Sequence, residues 1–405
     1  MTTNEKVWSR NLVLAMLVNG FVLAAFLGQT ATVPIFAHAF GASDIQVGLN
    51  AMVATLTALA LRPVVGWMLD GHGRVPALLI GLVLLAAASA ATAFVPGLLL
   101  LYVCSAVRGA GFAFTSTACL TLATDAIPHS RLSEGIGHYG IAGILASAAG
   151  PTVSLAVAQR YGFPALWIGS GALVALLVVL ALFIRSVHDD ALAVRKKDEQ
   201  ACAEWLAGEN APQKLVLTAP VVVPVVLNLL VFLAFGSIMT FLPLLIVDRT
   251  IVGGGLFFTV QSVATLLVRI FGNRLGERYG YRRMMLTALP AMVFAYLLIG
   301  FSANLAMLLV AAAVYGLANG VVQPLVSASL MKSTPIPQRG KANALYMAAS
   351  DIGLSIGSIL MGTISTLAGL GPVFYIASAF VAVQFLVVGL TRAIPGKGRK
   401  AGGTP

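Results

Sequence analysis

Long apolar stretches separated by short polar breaks run the length of this chain. Residues 75–107 contain no Asp, Glu, Lys or Arg, and neither do residues 215–247, 284–331 or 352–391. A run of about 20 apolar residues spans a bilayer as a helix. Runs longer than that hold two helices and a turn, or one helix with apolar extensions. The pattern predicts twelve spans, at roughly 11–37, 45–69, 75–95, 97–123, 133–157, 164–185, 220–246, 252–272, 283–301, 304–330, 340–366 and 371–391. Turn residues mark several breaks: Gly41 to Asp44 before span 2, Pro96-Gly97 before span 4, and Gly369 to Pro372 before span 12. The expected fold class is an all-α integral membrane protein.

Composition supports this. Of the 405 residues, 59% are hydrophobic and 10% charged, against roughly 25% charged in soluble domains. The net charge of +11 raises nucleic acid as a partner, but its distribution argues for membrane orientation instead. With both termini placed in the cytoplasm, inward segments hold 20 of the 25 Lys and Arg, and outward loops hold only Arg160 and Arg249. Arg62, Arg108 and Arg269 fall within spans. This is the positive-inside asymmetry. No cleavable leader is expected, because the first apolar run is too long and continues into further spans. Cys104, Cys119 and Cys202 show no metal or disulfide spacing. The richness in Ala, Val and Leu points to a bacterial cytoplasmic (inner) membrane.

The second half of the chain echoes the first at an offset of 207 residues. Arg62 recurs as Arg269, Asp70 as Glu277, Gly73 as Gly280, Gly109 as Gly316, Pro128 as Pro335, Tyr139 as Tyr346 and Gly150 as Gly357. The chain therefore reads as two homologous six-helix bundles, 1–185 and 220–394. A polar linker at 186–219 joins them, and a disordered basic tail follows at 395–405. Residues 192–206 are candidates for a surface helix. Duplicated bundles of this kind are common among secondary transporters.

The segment Arg62-Pro-Val-Val-Gly66-Trp-Met-Leu-Asp70-Gly-His-Gly73-Arg74 resembles the signature loop of the major facilitator superfamily. A second copy runs from Arg269 through Glu277 and Gly280 to Arg282. The resemblance covers nearly the whole chain. It implies the major facilitator fold, with twelve transmembrane helices in two pseudo-symmetric bundles, and a gating loop that moves during alternating access. Glycines there permit a tight turn and close helix contact. Arg108-Gly-Ala-Gly and the exit Thr-Asp125-Ala-Ile-Pro128 resemble span 4 of superfamily drug exporters. Ser105 stands where those exporters carry Arg, and Arg108 lies one turn further on. In span 5, Gly140, Gly143, Ala146, Gly150-Pro151 and Ser154 resemble the antiporter motif in part. Small residues at this spacing let a neighbouring helix approach, and Pro151 removes a backbone donor.

Several polar groups fall inside the predicted spans. Asp351 lies near mid-membrane, where an Asp costs about 2.5–3.5 kcal/mol on insertion scales. It is the first candidate for proton coupling; polar packing is the alternative. Glu134 and His138, four residues apart, are a second candidate or a helix-surface pair. Arg108 is a candidate for pairing with Asp351, for an anionic or zwitterionic substrate group, or for backbone carbonyls. Asn19, Gln29, Asn228, Asn319, Gln323, Tyr139 and Tyr346 are candidate cavity groups, and interhelix bonding is the plainer role for each amide. The two tyrosines are equivalent in the halves and are candidates to face each other at the cavity floor.

No Walker loop is present, which argues against direct ATP drive. The expectation is a monomeric, cofactor-free exporter of a small molecule, driven by the proton gradient through antiport. Its other partners are protons and membrane lipid, with no nucleic acid and no metal. Uptake by proton symport is the alternative. A non-transporting sensor and a lipid-modifying enzyme stand further back.

Overall fold

The computed structural model describes residues 8–127, 131–184, 218–334 and 338–391. The linker from 185 to 217 and the tail from 392 lie outside them, and so do Pro128 and Pro335. The described residues form an all-helical membrane protein. Its helices are α1 (Arg10–Ala39), α2 (Asp44–Gly71), α3 (Arg74–Thr92), α4 (Leu98–Asp125), α5 (132–161) and α6 (163–182), followed by α7 (Ala219–Asp248), α8 (Leu256–Tyr279), α9 (Tyr281–Phe301), α10 (Leu305–Ser333), α11 (Arg339–Ala368) and α12 (Leu370–Leu390).

Local chemistry sets the ends of these helices. Ser9 caps α1 by accepting from the Leu12 amide at 3.2 Å, and Asn304 caps α10 through the Met307 amide at 2.9 Å. The α5–α6 junction has no loop: the two helices meet at Gly162, whose φ of +83° breaks the helical geometry and turns the chain. Only glycine adopts that conformation at little cost. Gly369 makes the α11–α12 break in the same way, at φ +88°. Pro372 therefore lies in the first turn of α12 rather than in the expected loop, a position where its missing N–H has no helical partner to lose. Within α7, Ser237–Phe241 form a buried π-helical segment just before Pro243, a place where the ladder must adjust to a residue without an amide hydrogen.

The chain divides into two compact units: Met1–Ala42 with Asn50–Ala211, and Ser43–Leu49 with Pro212–Pro405. The start of α2 thus groups with the second unit rather than the first half that contains it in sequence. Within the second unit, glycines permit this. The Gly362 position lies so close to the Asp44 carbonyl oxygen that a methyl group there would sit 2.5 Å from it, and Ser365 Oγ donates to Asp44 Oδ2 at 2.6 Å.

In the first unit α1 packs along α5, and α3 lies between α4 and the α5–α6 run. Leu12, Val18, Leu78, Leu82, Leu85 and Leu177 form the buried core. In the second unit α7 packs on α11, α8 on α10, and α9 on both α10 and α12. The outer faces carry exposed Phe94, Leu99, Leu176 and Leu390, which suits contact with lipid rather than water.

The repeat recorded in the sequence is a repeat of close helix crossings. A methyl group on Gly109 would run into the Ala54 carbonyl, and one on Gly316 into the Gln261 carbonyl. Ala54 and Gln261 are themselves related by the offset of 207. Gly150 meets the Ala24 backbone in the first unit. In the second, a methyl group on Gly357 would lie 2.5 Å from the Leu233 carbonyl oxygen. Without a large hydrophobic gain between helices in lipid, close backbone packing of this kind supplies much of the association energy.

Candidate functional site

Arg108 sits inside α4 in the first unit and is 4% exposed. Its guanidinium carbon lies 5.9 Å from the Phe26 ring centroid, within cation–π range. Phe26 in turn stacks on Phe112 at 3.9 Å, with an interplanar angle of 12°. Arg108 donates through Nη2 to Ser105 Oγ over a long 3.5 Å, and among the described residues its Nε has no hydrogen-bond partner. Among the described residues no carboxylate pairs with Arg108. A buried cation compensated only by an aromatic ring and a hydroxyl is costly, and its field is available to an arriving anion. Ser105, which replaces the Arg of the exporter pattern, is thus part of the same site.

Two of the predicted amides make interhelix bonds. Gln29 in α1 donates through Nε2 to Ser89 Oγ in α3 at 2.7 Å, and Ser89 donates to the Leu85 carbonyl at 2.6 Å. Gln29 Oε1 is buried with no partner. In the second unit, Asn228 in α7 donates to the Tyr346 carbonyl at 2.8 Å and to Ser350 Oγ at 2.7 Å. This node lies on α11 immediately before Asp351, which is half-buried in the middle of that helix. The Asp351 carbonyl accepts from Ser355 Oγ at 2.7 Å. Asn19 is buried in α1, while Asn319 and Gln323 are half-buried and share one face of α10. Tyr139 packs against the core of the first unit, and Tyr346 is buried in the second.

The two copies of the signature loop share a plan and differ in chemistry. Gly73 and Gly280 make the turns, at φ +100° and +86°. Gly66 does not make the close contact expected of it. It lies within α2, with open space where a side chain would go. The side chains of Asp70 and Glu277 lie outside the described residues. Arg74, the first residue of α3, pairs with Asp125, the last residue of α4, at 2.8 Å. At the equivalent positions in the second unit, Lys332 near the end of α10 lies 4.5 Å from the ring of Tyr281, the first residue of α9. Arg282 donates to the carbonyls of Val388 and Gly389, tying α9 to the end of α12.

In α5, Gly150 makes the tight approach to α1, and Gly28 of α1 meets Ser154 in return. Pro151 follows as a buried residue inside the helix. Gly143 makes only ordinary contact, 3.6 Å from a Leu23 methyl, and Gly140 faces open space. His138 lies with its ring 4.9 Å from Trp8. Glu134 is in α5, but its side chain is outside the described residues.

Sequence reasoning missed the Arg74–Asp125 pair, the Phe26–Phe112 stack and the Gln29–Ser89 bond. A signal existed only for the first. Gly73 and Gly280 recur just before Arg74 and Tyr281 and so mark that junction in both halves, although Arg74 and Asp125 are unlike Tyr281 and Lys332 at the same offset.

These features define a helical membrane transporter, and comparison with known proteins gives its family. The profile of the Major Facilitator Superfamily matches residues 12–253 and 248–404, so the chain belongs to that superfamily. Among similar proteins is the "Staphylopine export protein" of Staphylococcus aureus, 24% identical over 375 residues, covering 90% of this chain and 91% of that one. Another is the "Multi-drug resistance efflux pump PmrA homolog" of Lactococcus lactis, 23% identical, covering 95% and 94%. A crystal structure of a POT family transporter in complex with 5-aminolevulinic acid shares the fold, with a TM-score of 0.75 at 12% identity, covering 94% of this chain and 96% of that one.

Proposed function

We propose that this protein exports a small anionic or zwitterionic molecule across the bacterial cytoplasmic membrane, with both termini in the cytoplasm, by proton antiport and alternating access. The observation that carries the substrate class is Arg108, a buried guanidinium with no carboxylate paired to it among the described residues. A substrate carboxylate supplies the missing counter-charge, and the Phe26–Phe112 stack offers an apolar flank. Export is supported by the names of the relatives, an export protein and an efflux pump, and by the Gly150-Pro151 packing of α5 on α1. The basic residues on the loops that share a face with the termini support the orientation.

Proton coupling is assigned to Asp351. Its position at mid-span makes a fixed charge expensive, so a change of surroundings shifts its proton affinity. The Asn228–Ser350–Tyr346 node holds the adjoining turn of α11 in place, so that a change at α7 reaches Asp351. Uptake by symport is the second reading; Ser105, standing where the exporter pattern has Arg, weakens the transfer of a proton-coupling role to Arg108.

The test is substrate-induced proton movement in inside-out vesicles, with a panel of anionic chelators, other carboxylates and cationic drugs. Wild type should release protons with anions. Asp351→Asn should abolish release, and Arg108→Gln should abolish it for anions. Release with cationic drugs alone would overturn the substrate class. Release that survives in Asp351→Asn would move the proton site elsewhere, and proton entry together with substrate would establish symport.

A further inference from the structure

In the first unit a cleft of about 300 Å³ opens between α1, α5 and α6, lined by residues that include Phe21, Gly150, Val153, Val157, Leu166 and Leu173. Apart from Ser154 and Ser170 its lining side chains are apolar. An apolar cavity of this kind excludes water, and this one has room for on the order of ten methylene-sized groups. Small residues make the space: Gly169 in α6 would carry a side chain into empty volume. The cleft is continuous with the lipid-facing surface, because Phe21 and Val153 on its rim are exposed, and so are the neighbouring Ile168 and Leu176.

Its charge environment is one-sided. Val153 and Val157 line the cleft at a spacing of four, and the same face of α5 reaches Arg160 one turn further on, just before the turn at Gly162. Arg160 is exposed, and its guanidinium lies 5.5 Å from the Tyr161 ring. No carboxylate pairs with it among the described residues. Arg249 is the other basic residue predicted on this membrane face, and it is committed: it donates to the carbonyls of Ser302 and Gly300 at 2.6 and 2.8 Å.

We infer that the first unit binds an anionic phospholipid on the membrane face opposite the termini, with one acyl chain in the α1–α5–α6 cleft and the headgroup phosphate on Arg160. The occupant is a lipid of the bilayer because the cleft is continuous with the surface that lipid already covers. It is an anionic lipid because the cation at the end of that face has no carboxylate beside it among the described residues. The cleft lies on the Gly150 side of the α1–α5 contact, so a bound chain packs against the same helices that carry Phe26 and the Gly28–Ser154 approach. The inference stands apart from the proposed substrate, since it uses neither Arg108 nor Asp351.

The experiment is native mass spectrometry of the purified full-length protein, released from micelles after titration with phosphatidylglycerol or phosphatidylcholine of identical chains. Wild type should retain one tightly held lipid and prefer phosphatidylglycerol. Gly169→Leu fills the cleft and should weaken both lipids by about tenfold or more, the loss expected when roughly two methylene groups go unburied. Arg160→Gln should remove the preference and leave phosphatidylcholine binding as it was. Leu390→Ala, an exposed position of the second unit, should behave as wild type. Undiminished retention in Gly169→Leu, no headgroup preference in wild type, or a cleft that takes an apolar dye but no lipid would each overturn the proposal. Arg160→Gln, a surface change, keeps the headgroup arm decisive if Gly169→Leu disturbs α6.

Discussion

A methyl group added at Gly357 tests whether the paired glycines hold the helices together. The Ala Cβ would sit 2.5 Å from the Leu233 carbonyl oxygen and 2.9 Å from the Leu233 Cα. That is roughly 1 Å inside a comfortable contact of about 3.5 Å. Both obstructing atoms are backbone, so no side-chain rotation relieves the overlap, and α7 and α11 must separate. Overpacking of this size costs about 1–3 kcal/mol. Replacing glycine by alanine inside a helix returns up to about 1 kcal/mol in propensity. With that full return the net loss is about 0–2 kcal/mol, which should lower the melting temperature in detergent by up to about 6 °C and leave it well below that of a glycine-to-alanine change made in open space. Gly66→Ala is the matched control. It makes the same chemical change inside α2 with open space around it, so it should leave the melting temperature unchanged or raise it. Thermal unfolding of the two variants side by side settles the matter. Equal behaviour, or a higher melting temperature for Gly357→Ala, would refute the view that close approach makes this glycine necessary.

Three further outcomes are expected. Asn228→Leu removes two interhelix bonds and should destabilise the second unit by about 0.6–2 kcal/mol, as for membrane hydrogen bonds generally, measured as a lower melting temperature. Arg249→Met releases the carbonyls of Gly300 and Ser302 at the end of α9 and should cost about 1–2 kcal/mol by the same measurement, with little dependence on salt. Arg74→Gln breaks a half-exposed ion pair and should cost less than about 1 kcal/mol, a loss that shrinks further in high salt. A drop of several kcal/mol there would show that the pair is shielded from solvent.

The order and number of helices were legible because each span carries its own signal, an apolar run bounded by turn residues. The equivalences Gly109 to Gly316 and Gly150 to Gly357 were legible as a repeat, and the structure gives their cause in close backbone crossings. Gly66 shows the limit of that reasoning. Composition marks a glycine but not whether a neighbour approaches it. The grouping of Ser43–Leu49 with the second unit was not legible either, because α2 runs without interruption and only three-dimensional packing divides it. For the site, Arg108 was visible as an isolated charge in an apolar span. The aromatic stack beside it depends on α1 and α4 meeting at Phe26 and Phe112, which no spacing in one sequence reveals. The roles of Gln29 and Asn228 likewise depend on their partners, Ser89 on α3 and Ser350 on α11.

The contact that each loop copy makes with the end of a neighbouring helix in its own unit bears on how the duplicated halves differ. Arg74 and Asp125 in one half correspond to Tyr281 and Lys332 in the other. The partnership survived while its chemistry changed from an ion pair to a cation over a ring. Exchanging one position alone would set Arg against Lys332, which repel, or Tyr against Asp125, where the phenol O–H can still donate to the carboxylate. Of the two mixed pairs, only the one that sets two cations together carries a penalty, so the exchange is tolerated at one end and not at the other. A chimera that carries the first loop copy into the second half should lose up to about 1 kcal/mol at this junction, recovered when the end of the facing helix is carried along with it.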